Sequence, residues 1–120
     1  MGDFPSESVE KRWKVLQQRY REGLPDRLRE MARYLRGIAD PKNGGAHLEA
    51  LHRIAHGMAG SSGIFGFPHL GICARELERL LRSIQEENRR PDSSEETKIA
   101  DLIEELERIA AETPPEGKPV

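Results

Sequence analysis

Apolar residues in this chain recur at every third or fourth position, and no stretch of any length alternates apolar with polar. That spacing lays one stripe along a helix and leaves a strand nothing to bury, so it points to an all-α fold. Stripes and punctuation together predict five helical segments. The first covers roughly Glu7 to Tyr20, with Val9, Trp13, Leu16 and Tyr20 on one face. Gly23-Leu24-Pro25 is expected to break it, because Pro25 suits the first turn of a new helix. The second segment carries Leu24, Leu28, Met31, Leu35 and Ile38, and stops at the loop signal Asp40-Pro41-Lys42-Asn43-Gly44-Gly45. The third runs from about Ala46 to Gly63. The fourth runs from about Phe67 to Glu87, with Leu70, Cys73, Leu77, Leu80, Leu81 and Ile84 inward. Ser93 and Glu96 read as a capping box for the fifth, which buries Ile99, Leu102, Ile103, Leu106 and Ile109. Helices of this length joined by short loops form an antiparallel bundle.

A chain of 120 residues fits one domain, expected over residues 1–112. Residues 113–120, Thr113-Pro114-Pro115-Glu116-Gly117-Lys118-Pro119-Val120, have nothing to bury and read as a tail or the start of a linker. The net charge of −2, with acids and bases intermixed, argues against a nucleic-acid partner, which would call for a basic face. Cys73 is the sole cysteine, so no intramolecular disulfide forms and a reducing compartment suits the chain. With no leader-like start and no apolar run near 18 residues, the expectation is a soluble, cytoplasmic monomer without a membrane partner.

The third segment departs from its neighbours. Gly57, Gly60 and Gly63 fall inside it, each costing about 1 kcal/mol relative to Ala in a helix interior. At roughly 100° per residue, Leu48, Leu51, Ile54, Ala55 and Met58 form the apolar stripe, and Gly60 lies about opposite to it. Close helix packing is the ordinary use of such glycines. These point mostly away from the stripe, which leaves clearance on an exposed face. The same rotation puts His56 about 140° from the stripe, beside Glu49, His52, Arg53, Gly60 and Gly63. A lone histidine is more often structural or a plain surface residue. This one is uncrowded and next to a cation, and imidazole is the side chain that serves as a neutral nucleophile near neutral pH.

The stretch His56-Gly57-Met58-Ala59-Gly60-Ser61-Ser62-Gly63-Ile64-Phe65-Gly66 resembles the signature of the histidine phosphotransfer (HPt) domain family. That signature is a histidine, a small or polar residue, an apolar residue, Lys, Gly, two small residues and a further Gly. His56, Met58, Gly60, Ser61, Ser62 and Gly66 match it, and Phe67-Pro68-His69-Leu70 with Ala74-Arg75-Glu76-Leu77-Glu78 looks like the family's next helix. Gly63-Ile64-Phe65-Gly66-Phe67 is also similar to the phosphorylated N-terminal domain of chemotaxis histidine kinases. The specific resemblance covers about Leu48 to Leu81. It implies an antiparallel four-helix bundle with an additional N-terminal helix, five helices in all. It also implies a bacterial-type two-component phosphorelay in which His56 carries phosphoryl between aspartates of response-regulator receiver domains, downstream of a sensor or hybrid histidine kinase. Gly60 would leave room for the partner. The family's Lys is replaced by Ala59, and Arg53, one turn before His56, either substitutes for that cation or is a solvated surface arginine.

A phosphocarrier of this kind needs no cofactor, and the chain has no Gly-x-x-x-x-Gly-Lys-Ser/Thr loop for a nucleotide, so it is not expected to be an enzyme in its own right. Glu49-Ala50-Leu51-His52 has the Glu-x-x-His spacing of a di-iron helix, but no second copy exists. His52 and His56 stand one turn apart as for zinc, yet no third ligand is suggested. The remaining readings are an interaction bundle that docks on a receiver or kinase without accepting phosphate, and the excised phosphoacceptor domain of a larger hybrid or chemotaxis-type kinase.

Overall fold

The computed structural model describes residues 3–112, and the segment expected to form the tail lies outside them. Among the described residues four helices are found: α1 (Asp3–Gly37), α2 (Gly44–Ser61), α3 (Pro68–Glu86) and α4 (Ser93–Glu112). Among the described residues α1 packs on α2, α2 on α3, α3 on α4 and α4 back on α1, closing a ring. The packing is antiparallel. Tyr34 of α1 lies against His47 at one end of α2, and Tyr20 hydrogen-bonds Ser62 just beyond the other end. Across α3 and α4, the Cys73 thiol donates to the Leu102 carbonyl and Lys98 pairs with Glu76. The core is the set of stripes turned inward, including Leu24, Met31, Leu51, Met58, Phe67, Leu70, Leu77, Leu81, Ile99 and Leu106.

The count of five helices, with a separate N-terminal one, is corrected to four. Gly23-Leu24-Pro25 does not break the chain, and α1 runs straight through Pro25. Tyr20, Leu24, Leu28 and Met31 follow one another at helical spacing and are all buried, so a break at Pro25 would turn Tyr20 off the core. Each such burial is worth about 1.5–3 kcal/mol, against about 1 for an interior Gly and about 3 for an interior Pro. Arg21, whose carbonyl Pro25 leaves unbonded, is exposed and has water at hand.

Three smaller boundaries also shift. Val9 and Leu16 are about half exposed, because α1 projects past the end of α2 and only Tyr20 of the expected first stripe is buried. Helix α2 ends at Ser61, so Gly63 stands in the turn before α3 rather than inside a helix. The box at the start of α4 uses Asp92 and Glu95, not Ser93 and Glu96. Glu95 N–H donates to the Asp92 carboxylate at 2.7 Å, and Asp92 N–H donates back to Glu95 at 3.0 Å. Arg89 clamps Glu95 with two bonds of 2.6 and 2.8 Å, which fixes that register.

Two glycines are required by geometry. Gly66 has φ of 89°, the left-handed conformation that turns the chain from α2 toward α3. A Cβ on Gly44 would come within 2.5 Å of the Ile38 carbonyl oxygen, where the loop folds tightly into α2.

If α1 is continuous, Pro25→Ala restores a backbone hydrogen bond on an exposed face and should stabilise the protein by about 1–3 kcal/mol. Thermal unfolding checks this. A lower melting temperature would mean that the packing of Leu24 and Leu28 depends on the proline itself.

Candidate functional site

Helix α2 buries Leu48, Leu51, Ala55 and Met58, and half-buries Ile54. That choice of inner face sends His56 out of the bundle with its side chain 68% exposed. Gly57 and Gly60 flank it, and a Cβ on either would meet open space. The end of α2 is held from α1. Tyr20 Oη and Ser62 Oγ share a hydrogen bond of 2.6 Å, and Ser61 Oγ donates to Tyr20 Oη at 2.9 Å. Gln17 Nε2 donates to the Phe65 carbonyl and Trp13 Nε1 to that of Ile64.

The exposed imidazole is tethered on one side. Helix α3 turns Ala74, Leu77 and Leu81 inward, and Glu78 sits on the edge of that buried arc at 6% exposure. Its carboxylate meets His56 Nδ1 at 2.6 Å and accepts from Arg82 at 3.0 Å. Burial pushes the Glu78 carboxyl up. The His56 hydrogen bond, together with the positive charges of His56 when protonated, of Arg82 and of His52, outweighs this, and the group is held below its ordinary value. An ionised carboxylate can only accept, so Nδ1 carries the proton that it donates. In the neutral ring the lone pair is then on Nε2, the nitrogen that Glu78 does not engage.

Antiparallel packing sets what surrounds this pair. Ascending from His56 leads to Ala59 near the end of α2 and then to Gly63 in the turn, and descending α3 from Glu78 leads to Arg75 and Gly71. Arg75 donates to the Ala59 carbonyl at 3.4 Å, and a Cβ on Gly71 would lie 3.5 Å from the Gly63 nitrogen. In the other direction His52 stacks on His56 with ring centroids 6.2 Å apart. His52 is only half exposed, and its Nε2 is buried without a hydrogen-bond partner. Burial, chiefly, lowers its pKa, with Arg82 and His56 adding to the effect against the pull of Glu78. Arg53 is exposed and bonds Glu49 at 3.3 Å. Glu49, His52, Arg53, His56 and Arg82 line a shallow open depression. Among the described residues no group of three or more His, Cys, Asp or Glu is placed to hold a metal ion.

Of the residues expected at the site, Arg53, His56 and Gly60 are exposed on α2, His52 and Ala59 are half-buried beside them, and Gly63 stands in the turn beyond the helix. The sequence reading missed Glu78, Arg82 and Arg75. One signal was available for Glu78: it stands four residues after Ala74 and three before Leu81, where a charge needs a partner.

A bundle that lifts one histidine onto an open face, with its inner nitrogen held by a buried carboxylate, is a histidine-presenting helical domain. The model of the Hpt domain family matches residues 15–112, and the chain belongs to that family, whose general function is histidine phosphotransfer. No curated protein and no solved structure gives a significant match. Among the described residues no helix is long and apolar enough to cross a membrane.

The Glu78 tether has a pH signature. A glutamate titrates near 4.5 in ordinary surroundings and lower here, so its ionised form stabilises the fold fully above 4.5 and less as pH falls through the folded-state value. Glu78→Gln should therefore melt lower than wild type at neutral pH, by about 1 kcal/mol or roughly 4 °C. That gap should narrow in acid. A gap that stays constant down to pH values well below 4.5 would show that the carboxylate charge is not what holds the pair.

Proposed function

We propose that the protein is a phosphocarrier of a two-component phosphorelay, taking phosphoryl onto His56 from the phosphoaspartate of one receiver domain and passing it to another. The observation that carries this reading is the pairing of an exposed imidazole with a buried carboxylate on Nδ1. The Nε2 lone pair attacks phosphorus, the N–P bond forms, and the P–O bond to the aspartyl carboxylate breaks with its electron pair leaving on oxygen. All three non-bridging oxygens stay on phosphorus. The ring gains positive charge as the bond forms, and the Glu78 carboxylate stabilises it through the Nδ1 proton, much as an aspartate supports a catalytic imidazole. Return to a second receiver runs the same step backward. Phosphoryl transfer of this kind rests on positioning and charge stabilisation, and an open face admits a partner domain where a small substrate would need a pocket. The chain acts as a carrier without a nucleotide site or cofactor of its own, within the cytoplasm and in bacterial-type signalling.

Incubation with phosphorylated receivers should give an acid-labile, base-stable phosphoprotein. His56→Gln should abolish the label and leave the helical circular-dichroism spectrum unchanged. Label retained in His56→Gln would falsify the assignment. A wild-type protein that takes no label from any receiver would be an interaction bundle instead.

Gly60 offers a test with two opposite effects. It has ordinary helical dihedrals and open space at its Cβ position. Gly60→Ala should gain about 0.4–1 kcal/mol, and Gly60→Met should melt no lower than wild type. The Met side chain would stand beside the imidazole and block a receiver, so most transfer should be lost, with Gly60→Ala intermediate. Normal transfer by a stable Gly60→Met would place the docking face elsewhere.

A further inference from the structure

A phosphoryl group on His56 Nε2 brings negative charge to the outer face of α2, and three arginines are candidates to meet it. Arg53 is engaged by Glu49 at 3.3 Å, and Arg82 by Glu78 at 3.0 Å. Arg75 is different. Its hydrogen bond is to a backbone carbonyl, that of Ala59, at 3.4 Å, and among the described residues it pairs with no carboxylate. It lies three residues before Glu78 on α3, about 4.5 Å along the axis at 1.5 Å per residue. Its guanidinium reaches across to α2 one turn beyond His56, on the Gly60 side. The small side chain of Ala59 and the absence of one at Gly60 leave that path open.

We propose that Arg75, reaching from α3 over Ala59, binds the phosphoryl group carried on His56; this rests on the carrier reading above. The guanidinium leaves a long, weak bond to a neutral carbonyl and makes charge-assisted bonds to phosphoryl oxygens, a favourable exchange for a planar fork donor. Arg82 already has part of its fork committed to Glu78, the carboxylate that also holds the imidazole. Arg53 would have to leave Glu49. The cation of the site thus comes from the neighbouring helix.

Phosphoramidate, a donor too small to use a docking surface, separates this role from partner contact. Nε2 attacks its phosphorus, the N–P bond to His56 forms, and the donor's P–N bond breaks, its nitrogen leaving as ammonia with the bonding pair. Arg75→Ala should slow loading about tenfold and shorten the lifetime of the phosphohistidine, the scale of one charge-assisted hydrogen bond. It should also move the ³¹P resonance of the loaded protein. Arg75→Lys should recover part of the rate. Circular dichroism and melting temperature establish that each variant is folded. If Arg75→Ala loads from phosphoramidate and holds its phosphoryl as wild type does, the proposal is overturned. A defect confined to receivers also overturns it, since Arg75 would then be a docking contact. If wild type takes no label from either donor, the carrier reading itself fails.

Discussion

A carboxylate buried to the extent of Glu78 is costly unless it is paired, and the geometry of the α2–α3 interface depends on satisfying it. Removing a carboxylate from water costs several kcal/mol, and only well-aligned hydrogen bonds offset that. Glu78 has two such bonds, one from each flank: His56 Nδ1 across the interface and Arg82 one turn along its own helix. Both donors leave their charge-bearing ends near solvent, so neither is itself buried. The bond that settles the carboxylate is also the bond that orients the imidazole. On the carrier reading, stability and function therefore share one interaction, and a change that frees the ring also strands a buried charge.

That bond is only as well placed as the two helices that bring it together. Leu77, Leu81, Ala55 and Met58 fix the depth of the interface, and the N-terminal turn of α3 lies against the chain at Ser62 and Gly63, where even a Cβ at Gly71 would make ordinary contact. The end of α2 is then pinned from the far side by Tyr20, Ser61 and Ser62, while Phe65 stacks on the Tyr20 ring with centroids 5.0 Å apart. This accounts for the unbroken length of α1. Had α1 ended at Gly23, Tyr20 would not stand opposite Ser62, and Gln17 and Trp13 would not reach the carbonyls of the turn.

Much of this was legible within single helices. The inward stripes of α2, α3 and α4 and the outward direction of His56 follow from rotation alone. What was not legible lay between helices. Pro25 reads locally as a helix start, and only the register of Tyr20 and Leu24 against the rest of the core overrides it. The capping residue at α4 slips by one because Arg89 selects Glu95 over Glu96. For the cation near His56, rotation on α2 offers Arg53, the neighbour on the same helix. Arg75 and Arg82 become neighbours only once α3 is laid antiparallel in one register, which no periodicity within α2 encodes.

The glycines at 57 and 60 can be weighed on the same terms. With no neighbour within 4 Å of either Cβ position, they serve no close helix contact. Two interior glycines cost about 2 kcal/mol relative to alanine, a noticeable share of the stability of a domain this size. A structural role would favour alanine at both, because nothing stands in the way of a methyl group. On the carrier reading the cost has a use. The imidazole is held from below by Glu78, so a side chain at position 60, one turn on, would stand in the space through which a phosphoaspartate must approach in line. The clearance at Gly60, the small residue at Ala59 and the tether at Glu78 then belong together: one side of the ring is fixed so that the other can be left open.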